Sequence, residues 1–142
     1  MNNIVTVEAD NFPMLIETRR ILEINTASLA AQKANDRDIV ELNSLLEKYR
    51  EKAEKGENAM SEDLLFHLKI ADISKNSILK SLIMIITPEV QRQSQELNTC
   101  KDDRPKYALA EHQAIFEAIK KREPEKAAEA MAFHMGKTVA PV

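Results

Sequence analysis

Only two glycines, Gly56 and Gly136, interrupt a chain of 142 residues. Tight hairpins draw on glycine for positive φ, and strands draw on alternating runs rich in Val, Ile and Thr. This sequence supplies neither, and Ala, Leu, Glu, Lys and Ile dominate it instead, which favours helix. The length fits one domain with a real core. The expected fold class is therefore all-α, an antiparallel bundle of about six to seven helices joined by short connections.

The apolar periodicity predicts where those helices lie. The first runs over about Phe12–Ala34, with Pro13 near its start, where a missing amide proton costs nothing. Its apolar stripe reads Leu15, Ile16, Leu22, Ala27, Leu29, Ala30 and Ala31. The second runs over about Asp36–Lys55 on Ile39, Leu42, Leu45, Leu46 and Tyr49. Ser61 reads as the N-cap of a third, which carries Glu62 and Asp63 in its first turn and continues to Ser74. The fourth starts near Asn76 and is the most apolar, a face suited to the bundle centre or to a dimer contact. Pro88 is expected to kink or divide it, and the Gln-rich stretch 91–101 is polar. Residues 101–105 read as a turn, followed by a fifth helix over about Lys106–Arg122. Pro124 opens a sixth, ending near Thr138.

Several function classes drop out on composition. A net charge of −3 with both signs interleaved provides no concentrated basic face for a phosphate backbone. The single cysteine, Cys100, cannot form an internal disulfide. The N-terminus has no basic flank leading into an apolar run, and the longest apolar stretch is far short of a membrane span. The expected location is cytoplasmic.

The three histidines carry the chemistry. His67 shares a face with Leu64, Ile70 and Ala71, and Asp63 lies one turn before it, since four residues advance a helix by about 400°. His112 shares a stripe with Leu109, Ile115, Phe116 and Ile119. His134 follows Ala127, Ala130 and Met131 at helical spacing. All three point inward. Three buried imidazoles and a carboxylate each lose hydration and need partners. One divalent cation satisfies all four, because imidazole and carboxylate suit Zn, Ni, Fe or Mn. Packed core histidines are the competing explanation, and spacing alone does not decide between them.

The segment from Asp63 through Phe66-His67, Ile70-Ala71 and Ser74-Lys-Asn76 resembles the D-x-x-F-H…I-A…S-x-N element of the FCD domain, the C-terminal ligand-binding domain of FadR-type regulators in the bacterial GntR transcription factor family. Glu17-Thr-Arg19-Arg-Ile-Leu-Glu23 with Ala30-Ala31 is similar to that domain's opening E-x-R-x-x-L-E helix. Glu111-His112-Gln-Ala-Ile115-Phe-Glu-Ala118-Ile119 resembles its E-H-x-x-I-x-x-A-I helix, and Ala127-Ala-Glu-Ala-Met131-Ala-Phe-His134 its final A-x-x-x-M-x-x-H turn. Four motifs in order span residues 12–138.

The resemblance implies a divalent metal, zinc foremost, on Asp63, His67, His112 and His134, a small organic acid as effector, and a homodimer. It implies an effector domain over 12–140 behind a tail or linker remnant at 1–11. The winged helix-turn-helix that precedes this domain in the family, and through which the parent regulator touches DNA, is absent from this chain. Arg19 is the candidate for a bidentate carboxylate contact, with a pair to Glu23 as the alternative. Asn76 is a candidate effector contact or a helix cap. Gln91, Arg92 and Gln93 suit a pocket lining or a solvated face. The rival classes are a metalloenzyme and a purely structural bundle. Neither an H-E-x-x-H motif nor a Glu-x-x-His pair of the di-iron type occurs, so no catalytic residue is assigned.

Overall fold

A computed structural model of the chain describes residues 11–96 and 104–138. Among them stand six helices and no strand: α1 (Phe12–Lys33), α2 (Asp36–Glu54), α3 (Met60–Ile73), α4 (Ser77–Glu96), α5 (Arg104–Lys120) and α6 (Pro124–Thr138). The tail reading for residues 1–10, Cys100 and most of the turn expected over 101–105 fall outside the described residues. No helix among the described residues is long and apolar enough to cross a membrane.

Reversals between helices follow local chemistry. Asn35 and Asp38 form a capping box at the start of α2, with Asp38 N–H donating to Asn35 Oδ1 at 2.7 Å and Asn35 N–H to Asp38 Oδ2 at 3.1 Å. Lys75 and Arg122 follow α3 and α5 with φ of 58° and 56°, a left-handed turn that costs a non-glycine residue energy. Each is tied down by its own side chain. Lys75 Nζ donates to Asp38 at 2.9 Å, and Arg122 reaches Ala34 O and Asp36.

Two readings from the sequence are corrected. Ser61 lies inside α3, because Asn58 Oδ1 accepts from Met60 N–H at 2.8 Å and starts the helix a turn-step earlier. Pro88 does not divide α4, which runs unbroken to Glu96, so of the two outcomes read for it division is the one overturned. Pro88 and Met84, the residue four before it whose carbonyl loses its helical partner, are both exposed.

The register of the bundle is fixed by cross-helix pairs. Lys69 meets Glu41, and Lys52 meets Glu62, so α2 and α3 run antiparallel. Lys80 meets Asp72 and Gln91 meets Asp63, so α3 and α4 also run antiparallel. The first helix packs against α3, α4, α5 and α6. Ala27, Ala30 and Ala31 are buried and let neighbours approach closely, while Leu42, Leu46, Phe66, Ile70, Ile115 and Met131 fill the core around them. The buried face of α1 also includes Arg19, Glu23 and Thr26. Residues Ile16, Leu22 and Leu29, expected on its inner stripe, are only half-buried. The apolar arc of α4 splits as well. Ile83 is buried, but Ile78, Leu82 and Ile85 face outward.

Candidate metal centre

Two helices of the bundle's middle and its last helix meet on one point. Asp63 and His67 come from α3, His112 from α5 and His134 from α6, and one ligand atom from each lies within 4.8 Å of all the others. His67 and His112 are fully buried and His134 nearly so, whereas the Asp63 side chain keeps 22% of its surface exposed. The cluster therefore opens toward solvent on the Asp63 side. There Gln91 Nε2 donates to Asp63 Oδ2 at 2.9 Å and to Met60 O at 3.1 Å, which fixes the carboxylate.

The imidazole orientations follow from their outer nitrogens. His67 Nδ1 lies 2.8 Å from Glu23 Oε1, and His134 Nδ1 lies 2.7 Å from Glu111 Oε1. A carboxylate only accepts, so both Nδ1 atoms carry the hydrogen. Their Nε2 atoms then point inward, 3.3 Å from each other. Donors about 2.0–2.1 Å from a shared zinc ion stand roughly 3.0–3.4 Å apart. His112 Nε2 is 2.9 Å from Asp63 Oδ1, but off the line a hydrogen bond requires. Atoms converging on a common point show this pattern of short distances with poor mutual alignment. The residues present fit a divalent cation.

Charge tells the same story. Burial pushes the Glu23 carboxyl upward, but the facing His67 and Arg19 charges overcome it and hold it at about 2. Burial likewise opposes ionisation of Asp63, and His67 and His112 outweigh it and hold it well below the usual range. His67 is pulled down by burial and driven up further by Glu23 and Asp63, to about 9. Burial keeps His112 below its ordinary value and His134 down at about 3. With neutral imidazoles, the carboxylates of Glu23 and Asp63 face one guanidinium, Arg19, inside the cluster, and a proton on His67 or a cation offsets the negative charge that remains.

Arg19 is 3% exposed and pairs with Glu23, Nε to Oε2 at 3.0 Å, while its Nη2 is buried with no hydrogen-bond partner. Asn76 Oδ1 accepts from Ile78 N–H at 3.1 Å and Leu79 N–H at 3.0 Å, so it caps α4, one of the two roles read for it from the sequence. Arg92 is exposed and pairs with Glu89 and Glu96. Gln93 is buried, with Nε2 on Glu89 and Oε1 without a hydrogen-bond partner. Sequence reasoning paired Glu23 with Arg19 but placed neither Glu23 nor Glu111 behind a histidine. Their signal was present in Glu23, one turn from Arg19, and in Glu111, next to His112.

A helical bundle with an inward-facing triad of histidines and an aspartate defines a class, and residues 14–137 match the FCD domain. The chain belongs to that family, the effector-sensing module of GntR-family transcription regulators. It is similar to the HTH-type transcriptional regulator LutR of Bacillus subtilis, 29% identical over 133 residues that cover 91% of this chain and 61% of that protein. It is 28% identical over 131 residues to the Uxu operon regulator of Haemophilus influenzae, covering 85% of this chain and 47% of that one. The chain thus spans about half the length of the curated relatives it matches, and both are named as regulators rather than enzymes. Among solved structures it superposes on Streptococcus agalactiae GntR with a TM-score of 0.80 at 24% identity, over 94% of this chain and 60% of that one. Escherichia coli McbR/YncC gives 0.78 at 21% identity, over 94% and 64%. Identities this low speak for the fold.

Proposed function

We propose that this chain is the sensing domain of a cytoplasmic transcription regulator, in which Asp63, His67, His112 and His134 hold a divalent cation and a small organic acid completes the site. The observation that carries this reading is the pair of Nε2 atoms from His67 and His134. Both rings turn Nδ1 to a carboxylate, so their Nε2 atoms face each other across 3.3 Å in a buried cluster, where only the proton of His67 stands between them when no cation is bound. A cation between them takes the place of that proton and uses both lone pairs. Zinc suits three nitrogens and one oxygen, and four protein ligands leave room for an acid group on a metal of higher coordination number. The bound cation would supply concentrated positive charge to an anion at a cluster whose own carboxylates would otherwise repel it.

Arg19 Nη2, buried and unpartnered, is the donor for the acid's second contact. The acid must favour one bundle arrangement over another to transmit a signal. In the parent protein, the DNA contacts would be made by a helix-turn-helix domain outside these helices, whose spacing that preference alters. We assign the outward apolar face of α4, Ile78, Leu82 and Ile85, to a second copy of the chain. These residues repeat at i, i+4 and i+7 and are exposed, and a two-fold axis crossing the helix would pair that stripe with itself.

Elemental analysis of untagged protein tests the centre. One equivalent of metal is expected in the wild type, with loss in His134→Ala. A candidate-acid panel should show ligand affinity that depends on the metal and falls in Arg19→Lys, which keeps the charge but loses the fork. Metal-free protein with unaltered acid binding in His134→Ala would sink this reading.

A further inference from the structure

The three imidazoles at the centre are not supported alike. His67 and His134 each donate Nδ1–H to a carboxylate, at 2.8 and 2.7 Å. His112 Nδ1 is buried with no hydrogen-bond partner. Its ring is held by packing instead, edge-on to Tyr49 at 4.4 Å and tilted on Phe66 at 4.8 Å. Tyr49 is itself fixed by donating its hydroxyl to Pro105 O at 3.0 Å.

The two supporting carboxylates are held as firmly as the rings they serve. Glu23 is fully buried on α1 and divides its oxygens. Oε2 accepts from Arg19 Nε at 3.0 Å and from Thr87 Oγ1 at 3.3 Å, which leaves Oε1 aimed at His67. Glu111 is 8% exposed on α5 and faces α6, where His134 stands. Each carboxylate thus comes from a different helix than the imidazole it holds.

We infer that Glu23 and Glu111 are positioning residues of the metal centre, which fix His67 and His134 as Nδ1–H tautomers with Nε2 turned to the cation, while His112 has no carboxylate behind Nδ1 and rests there on aromatic packing. The inference rests on reading Asp63 and the three histidines as a metal site. A carboxylate behind an imidazole fixes the ring and raises its basicity, and loss of such a partner lowers metal affinity on the order of 10- to 100-fold. The energetic support of the site therefore reaches α1, which contributes no ligand, through Glu23.

The test is zinc affinity by chelator competition on the full chain, in wild type, E23Q, E111Q and E117Q. Glu117 is a half-buried glutamate on the same helix as Glu111 that accepts from Gln113, and it serves as the control. E23Q and E111Q are each expected to weaken zinc on the order of 10- to 100-fold with the stoichiometry kept at one, and E117Q to match the wild type. Because E23Q strands the buried Arg19 guanidinium and risks unfolding, E111Q alone keeps the inference falsifiable. Long-range 1H–15N spectra of the stripped proteins give a second readout that a merely structural role would not move. They should show His134 as the Nδ1–H tautomer in wild type and a mixture in E111A. Folded E111Q with wild-type affinity, or an unchanged His134 tautomer in E111A, overturns the inference. A wild-type chain that binds no zinc instead overturns the metal reading beneath it.

Discussion

The protonation pattern of the cluster makes a quantitative demand on metal binding. A cation needs three unprotonated Nε2 atoms. His112 is held below its ordinary value and His134 at about 3, so neither carries a proton to displace near neutrality. His67, raised to about 9 by Glu23 and Asp63 against the opposing effect of burial, does. At pH 7 the proton on His67 competes by about 100-fold, and the apparent affinity should rise roughly tenfold per pH unit until about pH 9, then flatten. One proton should be released per cation. Titration calorimetry in buffers of different ionisation enthalpy counts it, and chelator competition at three pH values gives the slope. A slope near zero, or near two or three, would refute the assignment of the single proton to His67. The sign of the stability effect is opposite. His67 in the stripped protein lies above its unfolded value of 6.5. It therefore stabilises the fold fully below pH 6.5, and that contribution is lost as pH rises through about 9. The metal-loaded protein should lack this decline, and thermal melts at pH 6, 7.5 and 9 with and without zinc compare the two directly.

Other outcomes follow from features around the centre. Asn76→Ala should cost about 1 kcal/mol in urea denaturation, the usual value of a lost N-cap, and leave zinc affinity unchanged. A loss of zinc binding there would give Asn76 a role at the site beyond its cap. Leu82→Glu should convert a dimer to a monomer in light scattering without loss of helicity, since the residue is 40% exposed and outward. An unchanged mass would place any self-association elsewhere.

Helix content and the inward direction of the histidines were legible from sequence because both are local. Apolar residues at a period near 3.6 must share a face, and His67, His112 and His134 fall on such faces. The order of four motifs, from Glu17 to His134, brought the family within reach. Caps were partly legible. Asn76 satisfies amides of its own chain two and three residues ahead, a contact of short range, yet Ser61 looked an equally good cap and lost to Asn58 because an Asx turn begins the helix earlier.

The sequence could not tell that α1 turns an ion pair inward. Arg19 read as a carboxylate contact or as a partner of Glu23 one turn away, but nothing local said that the pair is buried, which it is because Glu23 meets His67 and Thr87, 44 and 64 residues away. Nor could it tell that α4 leaves Ile78, Leu82 and Ile85 in solvent while burying Ile83, since that depends on which arc α1 and α3 cover. Periodicity thus determined that three histidines and an aspartate look into the bundle. Tertiary packing alone decided that they meet at one point, because the distance between side chains on different helices depends on the register in which those helices pack.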